Sequence, residues 1–119
     1  RDKLVTGVQT CALPIFSGSP KFFFGSDSAP HARATKESAR APGGVYSSPT
    51  AIPALVGLFE SEGALEALKP FVASSGARFY RLPAPQGRLR LLREPWTVPD
   101  EIDGIVPMCT GSELAWRLA

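Results

Sequence analysis

A chain of 119 residues, 44% hydrophobic and 20% charged, is long enough for one domain of ordinary size and has the composition of a soluble globular protein. Its net charge of +2, with the basic residues scattered along the chain, argues against nucleic-acid binding. No apolar run approaches the ~20 residues that cross a bilayer, so no membrane partner is expected.

The N-terminus shows none of the basic start, apolar block and small-residue cleavage site of a signal peptide. Cys11 and Cys109 make no C-x-x-C metal pattern. The two can pair, but nothing else suggests secretion, and a reducing cytoplasm is expected. The 12 prolines and 11 glycines imply short elements joined by many turns.

The first stretch, V-T-G-V-Q-T-C-A-L-P-I at residues 5–15, has neither helical nor strand periodicity. It resembles the frame translation of a common sequencing adapter over all its residues. Residues 1–16 are therefore expected to be adapter-derived and disordered, and residues 17–119 to be the protein proper. On that reading Cys11 drops out of the chemistry and the native start of the chain is missing.

K-F-F-F-G at 21–25 is expected to form a short strand, buried on both faces as in a parallel sheet. Residues 28–48 form a long connection in which R-A-T-K-E-S-A-R can make a helical turn or two before Pro42-Gly43-Gly44 breaks it. Ser48 as N-cap and Pro49 at the first helical position announce a helix. Its apolar stripe is Ile52, Leu55, Val56 and Phe59, and it ends at Gly63. A second helical stretch over 64–75 carries Leu65, Leu68 and Val72 on one side. Pro70 should interrupt or restart it and Gly76 should close it. A-R-F-Y-R-L-P reads as a packed turn, residues 88–93 as a weak strand, and 95–104 as a loop. E-L-A-W-R-L-A near the end is strand or helix.

A strand, a loop and a helix make one βα unit, and a parallel strand needs neighbours this chain does not contain. The fold class is therefore α/β, a piece of a larger domain. In a (β/α)₈ barrel, functional side chains stand on the loops at the C-terminal strand ends. Asp27 occupies such a place, where a carboxylate can ligate a metal and exchange protons. His31 can donate to an anionic group, and Gly43 and Gly44 allow close approach of backbone N–H groups. Taken singly, the same residues also read as a turn-forming aspartate, a surface histidine and a plain turn.

The pattern as a whole is more specific. G-S-D-S-A-P-H-A-R-A-T-K-E-S at 25–38 resembles the last active-site loop of bacterial dihydroorotases of the shorter, single-function type, members of the amidohydrolase superfamily. The resemblance continues through S-S-P-T-A at 47–51, F-Y-R-L-P at 79–83 and G-S-E-L-A-W-R-L at 111–118. It implies the C-terminal fragment of a (β/α)₈ TIM-type barrel: last strand, its loop, the following helices and a C-terminal extension. It implies a zinc-dependent enzyme that reversibly cyclises N-carbamoyl-L-aspartate to L-dihydroorotate in pyrimidine biosynthesis. Two zinc ions bridged by hydroxide belong to that site.

Carried over residue by residue, Asp27 is implied as a ligand of the more exposed zinc and as the general base between hydroxide and leaving nitrogen. His31 is implied to bind the substrate's free carboxylate, with backbone contacts at Ala29 and Gly43. Two departures stand out: A-R-A-P-G-G replaces cysteine-containing versions of the loop, and Arg81 stands where glycine is usual. The family's other metal ligands, an H-x-H pair, a carboxylated lysine and two further histidines, are absent, since the chain has one histidine. This chain alone is therefore expected to hold no stoichiometric zinc and to be inactive. The whole enzyme is expected to be cytoplasmic and to form a homodimer. The competing readings are another cyclic amidohydrolase of the hydantoinase kind and a non-catalytic module built on a barrel end.

Overall fold

A computed structural model of the chain describes residues 14–119. Cys11 and most of the 1–16 segment lie outside the described residues. The helices precede the short strands: α1 (Arg33–Lys36), α2 (Ala51–Ser61), α3 (Leu65–Lys69), a π-helical turn (Pro70–Ser74), α4 (Ser75–Phe79), then β1 (Leu91–Leu92), β2 (Trp96–Thr97), β3 (Glu113–Leu114) and β4 (Arg117–Leu118). The chain divides into two compact units. One runs up to Phe24 and takes in Leu58–Arg88; the other takes in Gly25–Gly57 and Leu89–Ala119. No closed barrel is present among the described residues.

In the first unit, aromatic rings supply the packing. Phe59 is fully buried. The Phe16 ring meets it edge-on at 4.9 Å, and the Phe71 ring lies 5.4 Å away. Phe24 approaches Phe71 at 6.2 Å, and Phe23 lies 5.2 Å from Phe79 and 5.8 Å from Tyr80. Such offset and edge-to-face pairs add to the burial of the rings themselves.

The strand expected at 21–25 does not form. A backbone becomes a strand only through a ladder partner, and residues 21–25 carry no ladder. The Phe24 N–H instead donates to the Phe71 carbonyl at 2.8 Å. Nor is the run buried on both faces: Phe22 is exposed, and Phe23 and Phe24 are half-buried.

Helix α2 starts at Ala51, two residues later than the Ser48–Pro49 signal implied. The Ser47 carbonyl accepts the Thr50 and Ala51 N–H groups, which closes the first turn over Pro49. Its most buried positions are Ala51, Pro53, Val56 and Phe59, while Ile52 and Leu55 are only half-buried. The expected stripe is thus displaced by part of a turn.

Pro70 interrupts the α-helical pattern at Lys69, as expected, but the chain stays helical beyond it. Proline has no N–H and crowds the carbonyl four residues back. The helix answers by widening: the Ser75 N–H bonds the Pro70 carbonyl five residues back, and α4 continues to Phe79. Gly76 does not close it. The glycine sits inside α4 because a Cβ there would lie 3.2 Å from the Phe23 ring.

Helices α2 and α4 end in the same way. After α2, Ala64 N–H bonds the Phe59 carbonyl at 2.8 Å and Gly63 N–H bonds Glu60 at 3.0 Å. After α4, Leu82 N–H bonds the Ala77 carbonyl at 2.8 Å and Arg81 N–H bonds Arg78 at 3.1 Å. Both are Schellman caps, whose turning residue is left-handed. Gly63 takes φ 64° without strain, but Arg81 must take φ 54° with a Cβ. The position where the resemblance expects glycine is therefore one that physically favours it. Arg81→Gly is expected to stabilise the chain by about 0.5–1 kcal/mol, the left-handed penalty less the entropy of an added glycine. Urea unfolding should show a higher midpoint at unchanged slope; a lower midpoint would contradict this account of the cap.

In the second unit, β1 pairs with β4 and β2 with β3, both antiparallel. The weak strand at 88–93 is confirmed only at Leu91–Leu92, and E-L-A-W-R-L-A resolves into two short strands rather than a helix. The loop expected over 95–104 includes β2. Trp96 Nε1 donates to the Trp116 carbonyl at 2.7 Å, the Arg93 guanidinium lies 4.6 Å from the Trp116 ring centre, and Arg117 pairs with Glu94 at 2.8 Å.

Candidate functional site

The second unit carries the loop singled out in the sequence. Residues 28–32, 44–47 and 104–108 run side by side and are joined by single bridges rather than by long strands. Ser28 pairs in parallel with Val45, Tyr46 in parallel with Pro107, and Ala32 antiparallel with Ile105. The Ala29 N–H donates to the Val45 carbonyl at 2.9 Å, Arg33 N–H to Gly104 at 2.9 Å and Met108 N–H to Tyr46 at 2.8 Å. The Ser28 hydroxyl oxygen accepts the N–H groups of Ser47 and Ser48, each at 3.1 Å, and Ser47 Oγ donates to the Ser26 carbonyl at 3.3 Å. The serines of D-S-A-P-H and S-S-P-T-A thus lock the two loops together.

Gly44 is held at φ 99° with its Cα against Ala29; any Cβ there would collide with the Ala29 methyl group. Gly43 differs, since a Cβ at that position would meet nothing within 4 Å. The protein's own packing therefore does not require glycine at 43, and the space beside it is open.

These segments border a cleft of about 360 Å³ lined by Ala29, His31, Lys36, Glu37, Gly44, Val45, Tyr46 and residues 105–107. His31 is half-buried in it and Ala29 contributes to its wall. Asp27 and Gly43 are exposed and are not among the lining residues; Gly43 adjoins Gly44, and Asp27 stands two residues before Ala29. Asp27 has φ 44°, in the left-handed region, immediately before Ser28. Aspartate is one of the few residues that tolerate this conformation, and such outliers concentrate at functional positions.

Helix α1 brings the rest of A-R-x-x-K-E into place. Arg33 bonds Glu101 at 3.0 Å, Glu37 at 3.1 Å and the Asp100 carbonyl at 2.9 Å. The hydrogen bond that Arg33 donates to Glu101 raises its pKa; desolvation opposes the rise, and the bond to Glu37 and the charges of both carboxylates add to it. Lys36 Nζ donates to the carbonyls of Pro42 and Gly44. Sequence reasoning named neither Lys36 nor Tyr46 and residues 105–107 as part of the site. The A-R-x-x-K-E pattern was a signal for Lys36; the others are brought in by pairing distant in sequence.

Among the described residues, no group of three or more His, Cys, Asp or Glu gathers where a metal ion would be held. A binuclear zinc centre needs more ligands than Asp27 alone supplies, so the residues present do not fit one by themselves. No helix among the described residues is long and apolar enough to cross a membrane.

No family model matches the chain. It is 45% identical over 112 residues to a dihydroorotase of Laribacter hongkongensis, with 91% of this chain and 32% of the relative covered. It is 44% identical over 115 residues to one of Nitrosococcus oceani, covering 93% and 33%. Among solved structures, dihydroorotase in complex with 5-fluoroorotic acid from Saccharomyces cerevisiae superposes with a TM-score of 0.79 at 37% identity, over 89% of this chain and 32% of that one. The chain spans about a third of the length of the relatives it matches.

The solved relatives are TIM-barrel proteins, so the helices and short bridged segments seen here correspond to a segment of an α/β barrel. The chain belongs to the dihydroorotase family, as a fragment corresponding to the C-terminal part of its members.

Proposed function

We propose that the whole protein is a dihydroorotase, interconverting N-carbamoyl-L-aspartate and L-dihydroorotate. In it, residues 17–119 would supply the last barrel strand, its loop and the C-terminal extension. The observation that supports this reading is the cleft lined by His31, Ala29 and Gly44, with Asp27, two residues before Ala29, in a left-handed conformation. His31 can donate to a free carboxylate on the substrate. Ala29 lines the cleft, and Gly43, which adjoins lining residue Gly44, has open space beside it that suits a ligand. Asp27, an exposed carboxylate, is suited to accept a proton from the attacking oxygen and return it to the leaving nitrogen. The dihydroorotases among the relatives favour this substrate over a hydantoin-type ring.

Two zinc ions belong to the whole-enzyme proposal, and the remaining ligands would come from outside this chain. Cytoplasmic location and a homodimer go with the same reading. The free Cys109 thiol is compatible with a reducing compartment. Residues 1–16 remain assigned to adapter sequence, although Phe16 at their edge already packs on Phe59.

The test is a chimera in which residues 17–119 replace the matching C-terminal part of the Laribacter hongkongensis dihydroorotase. It should consume L-dihydroorotate and form it in reverse, while the purified 119-residue chain should do neither. A folded, zinc-loaded chimera without turnover would overturn the proposal.

A further inference from the structure

We infer that Lys36 is a positioning residue that fixes the direction of the Gly43 N–H by holding the peptide carbonyl on the opposite side of the same bond. The inference rests on the reading of this cleft as a carboxylate-binding site.

The argument is geometric. Lys36 Nζ donates to the Pro42 carbonyl at 2.8 Å and to the Gly44 carbonyl at 2.7 Å. The Pro42 carbonyl and the Gly43 N–H belong to one planar trans peptide, in which the two point in opposite directions. Fixing the oxygen on the ammonium therefore fixes where the N–H points. The second bond, to Gly44, stops the turn from rotating about its glycines, which otherwise have wide conformational freedom. A cation on the carbonyl also polarises the peptide and makes its N–H a better donor to an anion.

Lys36 is itself held in place. It sits at the end of α1, whose start is tied by Arg33 to Asp100 and Glu101. The anchor is charged and only part-buried, and two of the three donors of its ammonium group are engaged with carbonyls rather than directed at a ligand.

In the chimera described above, Lys36→Met should raise the KM for L-dihydroorotate about tenfold while kcat changes less than about twofold, the signature of lost binding common to ground and transition states. The increase should persist at about 0.5 M salt, where attraction by a bare exposed charge would be screened. Lys36→Arg, which keeps N–H donors at this position, should recover part of the loss. An unchanged KM, a KM effect that vanishes in salt, or a kcat falling in step with KM would each overturn the inference.

A second measurement does not depend on turnover. In the full 119-residue chain, Lys36→Met should speed amide hydrogen exchange at Gly43 and Gly44 at least tenfold relative to amides of β1 and β4. Equal exchange in both proteins would overturn the inference. An inactive Lys36 chimera with slow exchange at Gly43 would instead count against the proposed function alone.

Discussion

Asp27→Asn in the chimera is expected to lower kcat by about a thousandfold, within the range attributed to a general base. The substitution isolates chemistry from backbone. Asp27 sits at φ 44°, and asparagine tolerates the left-handed region as well as aspartate does. The two side chains are nearly the same size, and the position is exposed, so no packing is lost. What disappears is the ability to carry a proton at neutral pH. Thermal unfolding of the variant should match that of the parent chimera within about 0.5 kcal/mol, as expected for an exposed site. Turnover within tenfold of the parent would remove Asp27 from the proton-transfer role. A large fall in stability would show that the turn, not the reaction, needs the carboxylate.

The second large effect concerns stability. Phe59→Ala is expected to cost about 3–5 kcal/mol, the range for emptying a fully buried phenylalanine site. Phe59 has no exposed surface, and both Phe16 and Phe71 pack on its ring. Domains are stable by only about 5–15 kcal/mol, so most of that margin would be lost. Urea unfolding of the 119-residue chain measures it. The adjacent Leu58, which is 48% exposed, provides the control: Leu58→Ala should stay within about 0.5 kcal/mol. Equal effects at 58 and 59 would mean that the aromatic cluster does not organise the first unit.

Local physics explains what could be read in advance. Gly63, preceded by an apolar stripe, marked the end of α2, because only the left-handed residue of the cap needs a glycine there. D-S-A-P-H with A-R-x-x-K-E drew attention to Asp27 and His31 because the pattern resembles an active-site loop of dihydroorotases, which implies roles for both. Glycine was the usual residue at position 81, and φ 54° supplies the reason.

Tertiary structure decided the rest. Whether 21–25 pairs as a strand depends on partners elsewhere, since a ladder is a relation between segments and not a property of one. Pro70 widened its helix instead of ending it, because the packing of Phe71 and Gly76 against Phe24 and Phe23 holds the helix together across the missing N–H. The cleft is assembled from residues as distant as Ala29 and Pro107, joined by single bridges that leave no periodic signal. Sequence alone determined which family the chain resembles, because the D-S-A-P-H and A-R-x-x-K-E patterns are written in residue type and spacing. Only the folded chain decided which backbone carbonyls Lys36 holds, because that depends on where the 42–44 turn comes to rest against α1.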